Sequence, residues 1–93
     1  MNKRKDIVPN NLKEHRIRCG YTQKEVATML GFTSEDRICH WEKGSNIPNL
    51  INLLKLSSLY RTSPMQLYTE LMAQVDDEIE DRITKAVSHM PMQ

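Results

Sequence analysis

The chain has 93 residues, 39% of them hydrophobic and 27% charged, which suits one globular domain and leaves no room for two cores. One Trp, one Phe and three Tyr mean that the core must rest on Leu, Ile, Val and Met. No apolar run approaches the roughly 18–20 residues that span a bilayer, and no long apolar stretch follows the charged residues Met1 to Asp6 as a secretory signal requires; a cytoplasmic protein is expected.

Formal net charge is only +1, but it is unevenly spread. Residues 1–45 hold nine bases against six acids, and residues 46–93 hold four against six. A basic front and an acidic back suit a protein that turns one face to phosphate. Cys19 and Cys39 stand twenty positions apart, with no C-x-x-C and no closely spaced His pair. The usual zinc spacings are therefore missing, no metal or cofactor is expected, and the thiols should be reduced.

In chain order, residues 1–10 read as a flexible basic arm carrying Lys3, Arg4 and Lys5 and closed by Pro9. Leu12 to Cys19 has helical composition and stops at Gly20. Thr22-Gln23-Lys24-Glu25 is a capping box that opens a helix of about two turns, with Val26, Ala27 and Leu30 on one face and Gly31 at its end. Thr33 or Ser34 is the expected N-cap of the next helix, with Glu35 and Asp36 in the first turn where the helix dipole favours acids. Gly44 closes that helix. Asn49 caps a fourth, whose apolar set is Leu50, Ile51, Leu53, Leu54, Leu56 and Leu59; Ser57 and Ser58 are placed at its solvent edge. Ser63-Pro64-Met65-Gln66 opens a fifth helix, predicted from Pro64 to about Ala73. Beyond it, Val75, Ile79, Ile83, Ala86 and Val87, with Met90 further on, form one stripe of an amphipathic helix. No β-type alternation of useful length occurs. The expected fold is all-α: a five-helix domain over 11–73, then a C-terminal amphipathic helix and tail over 74–93.

Two short helices joined by a tight turn at Gly31 are the sequence form of a helix-turn-helix. With Ile38 set at zero and about 100° per residue, Trp41 falls near 300° and Ser34 near 320°, defining an inward side. Asp36, Cys39, His40 and Lys43 fall between about 100° and 200°, pointing away, with Glu35 and Arg37 flanking them. Trp41 is thus read as core, since it shares the face of Ile38. The six Met are packing residues by default.

The run Leu12-x3-Arg16-x3-Gly20-x-Thr22-Gln23-x3-Ala27-x3-Gly31, continued by Arg37-Ile38-Cys39-His40-Trp41-Glu42-Lys43-Gly44 and Pro48, resembles the Cro and phage-repressor helix-turn-helix family, also called XRE-type, over roughly residues 11–70. The resemblance implies DNA binding and assigns roles. Gln23 would hydrogen-bond a phosphate, aided by the amides of its helix start. Ser34, Glu35, Asp36, Arg37 and His40 would face the major groove or its edge, and Lys43, Ser45 and Asn46 would meet the backbone beyond. Arg16 and Glu42 would form a structural ion pair. The chain departs from the family by one extra residue between Gly31 and Ile38, and by acids at 35 and 36 where many members carry Gln, Ser or Arg.

Each role has a plainer counterpart. Gln23, Arg37 and Lys43 could be a solvated surface, but their place in the motif favours DNA, and Arg37 is singled out as a guanine or phosphate contact. His40 is balanced between base contact and passive surface. Glu35 and Asp36 are better read as dipole complements than as base readers. The basic arm is more simply a disordered terminus than a minor-groove reader. The C-terminal stripe either folds back or pairs with a twin, and a dimer on two half-sites about 34 Å apart is favoured. The leading function is a sequence-specific transcriptional regulator acting as a homodimer on double-stranded DNA. The alternative is an antitoxin-like interaction module whose C-terminal helix binds a partner protein. An enzyme is disfavoured, because no nucleophile–base motif, metal spacing or phosphate-binding glycine loop is present.

Overall fold

A computed structural model describes residues 7–90. Six helices follow one another: α1 (Leu12–Arg18), α2 (Gln23–Met29), α3 (Asp36–Lys43), α4 (Leu50–Tyr60), α5 (Pro64–Leu67) and α6 (Thr69–Ser88). There is no strand among the described residues, so the fold is all-α. Helices α1 to α5 enclose a core of Leu12, Val26, Ala27, Leu30, Ile38, Trp41, Leu56, Tyr60, Leu67 and Tyr68. Full burial of each such large side chain contributes about 1.5–3 kcal/mol relative to exposure.

The start signals act as local chemistry dictates. Thr22 Oγ1 accepts from the Glu25 amide at 3.0 Å and the Glu25 carboxylate accepts from the Thr22 amide at 2.9 Å, closing the capping box of α2. Asn49 Oδ1 accepts from the Asn52 amide at 2.8 Å. Ser63 caps α5, with Pro64 at its start.

Several expectations give way to tertiary contacts. The fifth helix does not run to Ala73: it stops at Leu67, Tyr68 breaks away at φ −138° and ψ 47°, and α6 then runs unbroken through the expected boundary at 73/74. Asn11 explains the break. Its amide donates to the Leu67 carbonyl at 2.8 Å, and its side chain donates to the Gln66 carbonyl at 3.0 Å and to Thr69 Oγ1 at 2.8 Å. A residue 55 positions away thus takes the carbonyls that a continuous helix would have used internally.

Ser57 is buried rather than at the solvent edge of α4. It falls on the inward line with Leu53, Leu56 and Tyr60, and its hydroxyl donates to the Thr62 carbonyl while its own carbonyl accepts from the Thr62 amide at 3.1 Å. Conversely Leu50, Ile51 and Leu54 of the expected apolar set are exposed, at 67%, 60% and 46%.

The segment Ile7–Asn10 does not behave as part of a free arm. The Val8 amide donates to the Gly44 carbonyl at 2.8 Å, and Asn10 Nδ2 lies 3.2 Å and 3.3 Å from the Trp41 and Glu42 carbonyls. Asn10 Oδ1 meanwhile accepts from the Leu12 amide at 3.0 Å, starting α1. Gly44 is required there twice over, because its φ is +82° and an added Cβ would run into the Val8 carbonyl oxygen. Lys3, Arg4 and Lys5 lie outside the described residues.

Candidate nucleic-acid interface

Helix α3 buries Ile38 and Trp41, exposed by only 1% and 5%, and this fixes which side faces out. Glu35, Asp36, Arg37, His40 and Lys43 are all exposed on it, as is Ser34 in the turn before, while Cys39 is half-buried. The helix begins one or two residues later than expected. Glu35, not Thr33 or Ser34, is the N-cap and makes no side-chain cap; Ser34 Oγ instead accepts from the Asp36 amide at 3.3 Å.

The turn between α2 and α3 is closed by the Phe32 amide, which donates to the Ala27 carbonyl at 2.8 Å. Phe32 then touches α3 on both its buried and its exposed side. Its ring meets Trp41 edge-on at 5.9 Å, and the Arg37 guanidinium lies over it, 4.6 Å from its centroid. A cation on an aromatic face gains about 0.5–1 kcal/mol at an exposed site, enough to bias where Arg37 points. Sequence reasoning gave Phe32 no role, because nothing in a turn phenylalanine says which side chain will lie on it.

One carboxylate ties the three helices together. Glu42 of α3 receives Arg16 Nε at 2.6 Å and Nη2 at 3.1 Å from α1, and Gln23 Nε2 at 2.9 Å from α2. Arg16 Nη1 also donates to the Tyr21 carbonyl at 2.9 Å. With side-chain exposures of 11% and 5%, the pair is close to dry. The hydrogen bond from the guanidinium to Glu42 raises the Arg16 pKa despite burial, so the charge stays fixed. Burial raises the Tyr60 phenol as well, and the Glu42 charge adds to the effect.

This geometry changes the reading of two candidates. Gln23 is half-buried and already uses one amide hydrogen on Glu42; an amide nitrogen carries two, so one remains for another acceptor. Ser45 closes the end of α3, its amide and hydroxyl both donating to the His40 carbonyl at 3.1 and 3.2 Å. Asn46 is exposed beside it. Asn10, which holds the end of α3 from outside, carried no sequence signal beyond being a polar residue just ahead of a helix.

Among the described residues there is no cluster of three or more His, Cys, Asp or Glu able to hold a metal ion, both cysteines are free, and no helix is long and apolar enough to cross a membrane.

The family model described as helix-turn-helix matches residues 12–67. The HTH-type transcriptional regulator ImmR of Bacillus subtilis (strain 168) is 42% identical over 52 residues, covering 56% of this chain and 40% of that relative. The chain therefore spans well under half the length of the relative it matches. No solved structure gives a significant match. The matched segment runs from the first residue of α1 to the last of α5 and contains the Glu42 hub and the exposed face of α3, and the chain belongs to the helix-turn-helix family of the Cro and phage-repressor (XRE) type.

Proposed function

We propose that the chain is a sequence-specific, cytoplasmic DNA-binding transcriptional regulator that reads a two-half-site operator as a homodimer. The observation that carries this reading is the two-sidedness of α3, with Ile38 and Trp41 sealed inward and Ser34, Glu35, Asp36, Arg37, His40 and Lys43 offered outward. A helix of this kind enters a major groove with its polar side to the base edges. Arg37, steadied by Phe32, is the guanine or phosphate contact; Glu35 and Asp36 chiefly complement the dipole of α3. Gln23, Lys43, Ser45 and Asn46 meet the phosphate backbone, which sets affinity and its salt dependence.

Selection of binding sites from random duplex DNA tests the division of roles. Arg37→Ala should relax preference at one base position, whereas Gln23→Ala should weaken all sites alike in preparations shown to be folded. Absence of any duplex shift at low salt would end the DNA-binding reading. A second reading, an antitoxin-like module, draws on the exposed stripe of α6, which a different protein could also cover. Sedimentation of the pure chain separates the two, since a monomer favours the foreign partner.

A further inference from the structure

We propose that α6 pairs in parallel and in register with α6 of a second copy of this chain, an inference that rests on the homodimer reading and adds its geometry. Helix α6 is 20 residues long and buries none of them. Only its first turn packs on the core, through Leu71. The exposure of its stripe climbs with distance from the globule: Val75 42%, Ile79 49%, Ile83 55%, Val87 57%, and Met90 just beyond at 59%. Most helical stability in proteins comes from the packing of an apolar face, and past its first turn α6 has little of it, so the stripe needs a cover.

The spacing of the stripe suits a long helical partner. Met72, Ile79, Ile83 and Met90 stand at an eleven-residue repeat (72 to 83, 79 to 90), and Val75 is followed eleven residues later by Ala86. That period, 3.67 residues per turn, lies close to the 3.6 of a straight helix, so the stripe stays on one side and a pair needs only a slight right-handed supercoil. From Met72 to Val87 the stripe extends about 22 Å along the helix at 1.5 Å per residue. At its base it runs without a gap into an apolar cleft that includes Ile47, Met65, Tyr68 and Val75. The Tyr68 hydroxyl is buried there with no hydrogen-bond partner among the described residues. Cleft and stripe form one surface, and a second copy carries the same surface.

Charge selects the orientation. With the stripe at zero on a projection of about 100° per residue, Glu80 lies about 80° to one side and Arg82 about 80° to the other. A parallel two-fold pair brings opposite flanks together, so each Glu80 meets the partner's Arg82. An antiparallel pair brings like flanks together, setting Glu80 against the partner's Glu80 and Arg82 against the partner's Arg82. Arg82 already reaches Glu78 of its own helix at 2.9 Å, so the parallel arrangement places each guanidinium between two carboxylates. It also leaves both α3 helices at the same end of the dimer, as two half-sites on one face of DNA require.

The test is disulfide trapping in the full-length chain carrying Cys19→Ser and Cys39→Ser. In a parallel pair, position 79 faces position 79 within disulfide reach. In an antiparallel pair with its two-fold axis near residue 81 it is displaced by about four residues, roughly 6 Å along the axis, which takes the Cα atoms beyond the ~7 Å limit, and no antiparallel register sets both 79 against 79 and 83 against 83. Ile79→Cys alone and Ile83→Cys alone are each expected to oxidise to a covalent dimer. Glu80→Lys should weaken the non-covalent dimer about tenfold, and Glu80→Lys with Arg82→Glu should restore it. Cross-linking confined to a mixture of Ile79→Cys and Ile83→Cys chains, or sedimentation as a monomer at micromolar concentration, would overturn the proposal. Gel shifts on the same samples keep its failure apart from that of the DNA-binding reading: a DNA-binding antiparallel dimer loses only the orientation, and a DNA-binding monomer loses the pairing.

Discussion

The globule of α1 to α5 and the projecting α6 come from the same chain and are held by opposite means. In the globule, ten apolar side chains are buried among the described residues, and the nearly dry Glu42 carboxylate is satisfied from two other helices. In α6 nothing is buried, and its ion pairs, Arg82 with Glu78 and Lys85 with Asp81, lie on exposed i,i+4 steps. Such pairs contribute about 0.3–0.5 kcal/mol each. The contrast is that the globule is closed by its own side chains, whereas α6 carries an apolar stripe that stays exposed along its length.

The sharpest way to break that contrast is to remove its hub. Glu42→Ala leaves Arg16 charged, nearly buried and unpaired, and should cost about 3–5 kcal/mol in urea unfolding; a loss under 1 kcal/mol would show that the three helices are held by packing alone. Gly44→Ala combines a left-handed backbone with a collision at Val8, and a loss of about 2 kcal/mol is expected, read as a lower melting temperature.

Alkaline titration comes next. Burial pushes the Tyr68 phenol up to about 12, and burial with the Glu42 charge pushes Tyr60 up too. Unfolded phenols ionise near pH 10 while the folded ones keep their protons. Stability from this source is therefore complete below about pH 10 and falls as pH climbs through the folded values. Unfolding at stepped pH should show the decline, and Tyr68→Phe should make it shallower. The smallest effect on folding belongs to α6: Ile83→Glu should move the unfolding free energy of the dilute protomer by less than about 0.5 kcal/mol yet abolish association in sedimentation. A large loss of protomer stability would mean that α6 is part of the core after all.

What could be read from the sequence follows the same division. Thr22 with Glu25, Asn49, and Ser63 with Pro64 cap helices through residues three apart, so their chemistry is local and legible. The inward line of Ile38 and Trp41 follows from helical period alone. The bond from Gln23 to Glu42, the clasp of Asn10 on α3 and the break imposed on α5 by Asn11 join residues 19, 32 and 55 positions apart, and no pattern along the chain announces them. Ser57 misleads for a related reason. A serine counts as a surface residue until the carbonyl that accepts its proton is known, and that carbonyl belongs to Thr62, beyond the left-handed turn at Arg61.

The stack of Trp41, Phe32 and Arg37 gives the chain an optical handle of its own. Trp41 is the sole indole, and it sits edge-on to the ring that carries the exposed Arg37 guanidinium. An event that lifts Arg37 from Phe32 frees that ring to shift against the indole. A duplex that draws Arg37 off Phe32 is expected to change the intrinsic emission of unlabelled protein, a change that Phe32→Leu should silence, whereas unchanged emission on binding would leave the guanidinium resting on the ring.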